Sequence, residues 1–341
     1  TTEKINAHPK EGNNIKKQIL VKGGRLEALH LLDSFLNVRG ENYTKQMSSP
    51  VTAHRSCSLI SAHLAFGTIS MRETFQAAQN RKIEIQNYKK SERGNWPSAL
   101  NSFLGRLRWH CHFIQKLEDE PRIEFENMHP SYDNLRNDKF DEEYFLAWKT
   151  GNTGYPMIDA CMRSLISTGW LNFRMRAMLV SFSSYHLWLH WRRPATYLAS
   201  LFVDFEPGIH FSQVQMQSGT TGINSVRIYN PIKQGQDHDP DGTFIKKWVP
   251  ELTNLPPSEI HEPWKTKLAK TYPSPIIEES IARKKAAALI YNLRRTNSQH
   301  NKKSKEIANK HGSRKSGLRS RSFNKSKKEF LVKTDQLPLP L

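Results

Sequence analysis

Apolar residues recur at three- and four-residue spacing through most of this chain, and no alternating run reaches the length a sheet needs. The first helical stretch opens at Gly24, where Leu26, Leu29, Leu32 and Leu36 fall on one stripe. A polar loop spans 41–56, and apolar spacing returns from Ser58 to Ala65. Ser70 followed by Glu73 has the form of a capping box and predicts the next helix start. Trp96-Pro97 predicts a long helix reaching Leu117, with Pro97 suited to a first helical position. The strongest helical signal runs from Met157 to Trp191, interrupted at Thr168-Gly169, and a short helix follows Pro194. Residues 118–141 read as loop. Residues 204–243, rich in Gly, Pro, Asn and Asp, read as an irregular segment of the kind that carries ligands.

The pattern predicts an all-α, multi-helical domain over 24–297. Residues 1–23 are polar and read as a flexible lead-in. From 298 to 341 the composition turns to Lys, Arg, Ser and Asn, which cannot bury enough apolar surface to offset chain entropy. A disordered basic tail is expected there. No internal repeat is visible.

Composition sharpens this picture. The chain has 341 residues, room for one large domain or two small ones. Its 51 Lys+Arg against 32 Asp+Glu leave a formal charge of +19, which favours a polyanionic partner, either nucleic acid or an anionic surface, although a basic tail alone can produce much of the excess. Salt-sensitive, sequence-independent DNA binding by the tail is expected. The 8 Trp suggest an aromatic core or a stacking surface. Three cysteines, Cys57, Cys111 and Cys161, exclude a disulfide framework and a four-thiolate iron–sulfur cluster within this chain, and favour a reducing compartment. There is no apolar run long enough to span a membrane and no visible signal peptide. A cytoplasmic monomer is expected. The first residue, Thr1, reads as the start of a fragment or a processed chain.

Two groupings resemble metal ligands. In Trp109-His110-Cys111-His112, adjacent helical residues do not point at one centre. His186 and His190 share a face at four-residue spacing, but no third ligand lies near them in sequence. No metal site is expected.

The chemistry concentrates in ordered blocks: Thr153-Gly154-Tyr155-Pro156 followed by Asp159 and Arg163; Thr168-Gly169-Trp170 with Arg174 and Arg176; Asp204-Phe205-Glu206; Arg227-Ile228-Tyr229-Asn230-Pro231; and Asp239-Pro240-Asp241-Gly242 leading to Trp248-Val249-Pro250-Glu251-Leu252. Asp159 and Arg163 lie four apart on one helical face. In this order the blocks resemble the photolyase/cryptochrome family. The resemblance covers roughly residues 24–297, the family's helical FAD-binding half, without its N-terminal antenna domain.

The resemblance implies FAD as cofactor. It puts Tyr43 and the segment Cys57-Ser58-Leu59-Ile60-Ser61 at the diphosphate, with Leu59 where an arginine is usual. It puts Asp204, Phe205 and Glu206 beside the isoalloxazine ring, Asp204 paired with Arg176, and His210 facing flavin N5. It assigns a DNA-facing pocket to Arg106, Trp109, His110, Phe173, Arg174, Met216 and Gln234. Arg106 stands in for a glutamate, His110 for an arginine, Phe173 for an asparagine and Met216 for a tryptophan. Of the family's three-tryptophan electron relay, only the middle member is matched, by Trp191; the others fall on Val214 and near Asp138. Tyr185, Trp188 and Trp170 offer a different route. Three functions follow as expectations: light-driven electron transfer to damaged pyrimidines in DNA, a blue-light or redox sensor without repair, or a flavin-less nucleic-acid-binding module.

Overall fold

The computed structural model describes residues 21–136 and 139–312. Most of the expected lead-in and most of the expected tail lie outside the described residues, as does Asp138. Among the described residues there is no strand.

An N-terminal layer begins with α1 (Arg25–Asn37), followed by the single-turn helices α2 (Tyr43–Gln46), α3 (Ala53–Ser56) and α4 (Ser61–Ala65), then α5 (Met71–Asn87) and α6 (Trp96–Asp119). Phe35, Leu36, Ile60, Ile69, Leu100, Phe103 and Leu107 form its core. The Ser70–Glu73 capping box is fully formed, with Ser70 Oγ accepting from Glu73 N and the Glu73 carboxylate accepting from Ser70 N. Pro97 occupies the first turn of α6, where a missing N–H costs nothing.

The larger core is built by α7 (Glu142–Thr150), α8 (Pro156–Thr168), α9 (Phe173–Ser181), α10 (Arg192–Leu201) and α11 (Pro207–Ser218). Helix α8 is buried on nearly every side and stops at Gly169, whose φ of 70° suits a left-handed cap. The outer elements α12 (Pro231–His238), α13 (Thr243–Trp248) and α14 (Glu279–Thr296) cover this core, and α15 (His300–His311) closes the described chain.

The long 157–191 signal is not one continuous rod. After α9 the chain widens into a π-turn over Phe182–His186, and Trp188 adopts φ 53°, an uncommon conformation for a bulky side chain.

Two expectations need correction. The 204–243 segment holds α11 and α12 rather than irregular chain. Glu206 caps α11 by accepting from Gly208 N at 3.2 Å and Ile209 N at 2.8 Å, and Pro207 sits at its start. Gly208 lets α11 touch α6, since a Cβ there would lie 2.7 Å from Ile114 Cα. Residues that look like helix breakers are here a cap and a close packing contact.

Residues 300–311, expected within the disordered tail, form α15. It buries His300, Ile307 and His311. Lys310 donates to Glu120 at 2.8 Å, and His311 also bonds Glu120. Burial alone would raise the Glu120 carboxyl, but these hydrogen bonds and the charge of Arg122 hold it down at about 2. Local composition missed a helix whose partners lie 190 residues away.

Candidate functional site

Several of the family-like blocks turn out to hold the fold together. Asp159 is fully buried and accepts from Thr153 N at 2.8 Å, Thr153 Oγ1 at 2.6 Å, Gly154 N at 3.1 Å and the Tyr272 hydroxyl. Arg163, one turn on, makes both bonds to Glu251 at 2.9 Å and also donates to the Gly151 carbonyl. Asp239 caps α13 by accepting from Phe244 N and Ile245 N. Asp159 and Asp239 satisfy main-chain donors at a loop or helix start, and Glu251 answers Arg163; these are structural roles.

The Asp204 block is different. Arg176 and Asp204 form a two-pronged pair at 3.0 and 2.9 Å, and only 4% of the Asp204 side chain is exposed. A third Arg176 donor reaches the Leu171 carbonyl at 2.6 Å, and the guanidinium lies 4.1 Å from the centre of the Phe202 ring. Such a pair is rigid, because the planar fork of arginine matches the carboxylate. His210 stands beside it, its ring edge-on to Phe202 and Phe205, its Nε2 bonded to the Ala195 carbonyl at 2.9 Å. Burial pushes the imidazole down to about 4, so it is neutral near pH 7. With Nε2 as donor, Nδ1 is left as an acceptor.

Across the junction, the N-terminal layer contributes Tyr43, the 57–61 segment and α6. Tyr43 packs edge-on against Phe35 and Phe103, and the Arg106 guanidinium lies beside its hydroxyl. Burial raises that hydroxyl to about 12. Burial likewise raises the Cys57 thiol to about 12, opposed by Arg39, Arg106 and Arg176, which are all near enough to act on it. Leu59 takes φ 61° and turns the segment sharply. Arg39 grips the segment from behind, donating to the carbonyls of Cys57 at 2.6 Å and Ser58 at 3.3 Å. Among the described residues, none of the N–H groups of residues 58–61 donates to another main-chain oxygen.

The structure therefore brings together Tyr43, Cys57, Arg106, Phe173, Arg176, Asp204, Phe205 and His210, with Arg106 over the Phe173 ring at 5.8 Å. His110 faces Glu206, whose charge opposes the downward push of burial on the imidazole. The side chain of Ile60 belongs to the core, leaving only its backbone for a ligand. Trp109 packs along its own helix, stacked on Phe113 at 5.4 Å. Arg174 lies near His238 on α12. Met216 lies half-buried on α11, and Gln234 is buried on α12 with Oε1 unbonded. Val214 is core, and Trp191 is buried with Nε1 bonded to Asn127 at 2.7 Å.

The alternative relay through Tyr185 and Trp188 meets an electrostatic obstacle. Arg136 is buried with its guanidinium 5.6 Å from the Tyr185 ring and 4.6 Å from the Trp188 ring, and it donates to the Ser184 and Ser218 carbonyls. A fixed cation there opposes oxidation of either ring. The Tyr185 hydroxyl is buried without a hydrogen-bond partner to take its proton. Of the two histidines considered for metal binding, His186 faces Glu279 while His190 stacks on Trp191.

Sequence reading missed Arg39 and Asn172. Both act on main-chain atoms, which leave no residue-type signal. Asn172 Nδ2 ties the carbonyls of Met47 and Ser48 to the start of α9, while its Oδ1 is buried and unbonded. A groove of about 710 Å³ between α5 and α6, lined by Met71, Phe75, Leu107 and Arg108, contains none of the predicted site residues. The junction is the better candidate, because paired charge, aromatic edges and unbonded polar atoms meet there. His110 Nδ1 and Asn172 Oδ1 are buried without partners, which is uncommon unless a ligand or water completes them. Cations and a hydroxyl on one wall, and a fixed ion pair with aromatic edges on the other, suit a dinucleotide carrying a diphosphate and a polar ring system such as FAD.

Comparison with known proteins agrees. The family described as the FAD binding domain of DNA photolyase matches residues 103–292. A deoxyribodipyrimidine photo-lyase from Streptomyces griseus is 33% identical over 269 residues, 77% of this chain and 55% of that protein. Cryptochrome-2 of Arabidopsis thaliana is 32% identical over 278 residues, 77% of this chain and 44% of its own length. The crystal structure of an archaeal photolyase from Sulfolobus tokodaii with two FAD molecules superposes with a TM-score of 0.67 at 35% identity, covering 80% of this chain and 57% of that one. The chain thus spans about half the length of these relatives. By this match and by its all-helical fold, the chain belongs to the photolyase family through its FAD-binding domain.

Proposed function

We propose that this chain holds FAD at the junction between its two helical layers and presents it to DNA. The observation that carries the reading is the Arg176–Asp204 pair, fixed beside His210 and Phe205 and facing a wall of uncommitted donors. Tyr43, the hydroxyls of Ser58 and Ser61 and the backbone of 57–61 hold the diphosphate. Arg176, Asp204, Phe205, Glu206 and His210 border the ring, with neutral His210 offering Nδ1 to a ring N–H. When bound, the flavin supplies light-driven one-electron chemistry, and the protein supplies placement and electrostatics. On the DNA side, Arg174 beside His238, and His54 with Trp170 and Lys247 nearby, form a basic rim with an aromatic face. The three thiols are unpaired, in keeping with a reducing, cytoplasmic setting. Among the described residues, no helix is long and apolar enough to cross a membrane.

A blue-light or redox sensor that performs no repair is the second reading. It is favoured by Arg106, which puts a cation where the resemblance leads one to expect an acid. Two measurements decide. The visible spectrum of the purified chain is expected to show a flavin band, and neither a band nor uptake of added FAD would sink both flavin readings. Repair of dimer-containing DNA under blue light separates the rest, since turnover rules out the sensor without repair. DNA affinity is expected to fall steeply with salt, and to fall at low salt when residues 313–341 are removed.

A further inference from the structure

The segment that wraps the diphosphate in this reading, Cys57-Ser58-Leu59-Ile60-Ser61, contains no cation of its own. Three arginines surround it, and two are already committed. Arg39 is committed to the Ser34 hydroxyl and to the carbonyl oxygens of Cys57, Ser58 and Leu31. Arg176 is spent on both oxygens of Asp204 and on the Leu171 carbonyl. Arg106 is the exception. It is half-buried on α6, lies beside the Tyr43 hydroxyl, and rests over the Phe173 ring. No carboxylate pairs with it among the described residues.

A half-buried guanidinium without a counter-ion is costly, and a phosphate relieves that cost with two parallel hydrogen bonds. The Tyr43 hydroxyl next to it can donate to the same group. An aromatic ring beneath the guanidinium fixes its plane and narrows the directions in which it can receive an anion.

We propose that Arg106 is a diphosphate-binding residue of the FAD site, supplying from α6 the cation that the 57–61 segment lacks, and that it is not a contact to the DNA lesion. This rests on the FAD reading above. Helix α6 then braces the cofactor's phosphates as well as lining the cavity.

The test uses the full 341-residue chain and its Arg106→Gln and Arg106→Lys variants. Each is titrated at equilibrium with FAD, with ADP, which carries the diphosphate without the flavin, and with riboflavin, which carries the flavin ring without phosphate. Arg106→Gln is expected to weaken FAD and ADP by a common factor of about 10 to 100, with riboflavin unchanged. Arg106→Lys recovers part of the loss, because the charge remains and the fork is gone. The comparison among three ligands on one variant is internal, so a variant of lower stability still reports it. A wild-type chain that takes up neither FAD nor ADP overturns this assignment together with the FAD reading. FAD bound equally by wild type and Arg106→Gln overturns the assignment and leaves the FAD reading standing. An equal loss for riboflavin moves Arg106 to the ring. Lost DNA affinity with FAD affinity intact moves it to the DNA side, and either result overturns the proposal.

Discussion

The two walls of the junction handle charge in opposite ways. On the α9–α11 wall the groups around the Asp204 pair are answered within the chain: Arg176 by Asp204 and a carbonyl, Glu206 by two N–H groups of α11, and the neutral His210 by the Ala195 carbonyl. On the wall built by α6 and the N-terminal layer, among the described residues, Arg106 pairs with no acid and His110 Nδ1 has no partner. The first wall is preorganised and stable in its own right. The second leaves polar groups open that a ligand could answer. Substitutions on the two walls should therefore be read out differently, as lost stability on one and lost binding on the other.

The largest effect is expected at Asp204. Asp204→Ala leaves Arg176 without its counter-ion and should lower the unfolding free energy of the unliganded chain by about 3 kcal/mol. Urea denaturation measures it, and a loss below about 1 kcal/mol would place that wall among ordinary surface pairs.

His210 comes next. Its folded-state imidazole titrates near 4 against an ordinary 6.5, so its contribution is whole above pH 6.5 and is lost as pH falls towards 4. Between those limits the wild type should lose about 2 kcal/mol more than His210→Asn, which does not titrate. Thermal melts at pH 7 and 4.5 compare them, and parallel losses would show that the histidine is protonated freely in the folded chain.

Glu206→Ala removes the α11 cap and should cost about 1 kcal/mol. No change in its denaturation midpoint would mean that packing alone starts this helix. Arg106→Gln, on the unanswered wall, should shift the stability of the unliganded chain by no more than about 0.5 kcal/mol. A cost as large as that of Asp204→Ala would erase the contrast between the walls.

How much of this was legible depended on how far a residue's partners lie along the chain. The Ser70–Glu73 box was readable because both partners sit within one turn. The Arg176–Asp204 pair, 28 residues apart, was readable only through the order of its blocks. Arg39 was invisible because it binds carbonyls, which every residue carries. Pro207 and Gly208 were misread as irregular chain, since a cap and a tight helix crossing use the same residue types as a loop. The ring of Trp109 stacks along α6 on Phe113, a choice of side-chain direction that spacing alone does not fix.

By itself the sequence determined the helical character, the stock of charges and the family, because periodicity, composition and ordered motifs are properties of the chain as written. Only the tertiary structure decided which charges are satisfied. Pairing depends on distance between groups far apart in sequence, and a cation that is surplus in composition becomes a binding residue only where folding leaves it half-buried and without an acid.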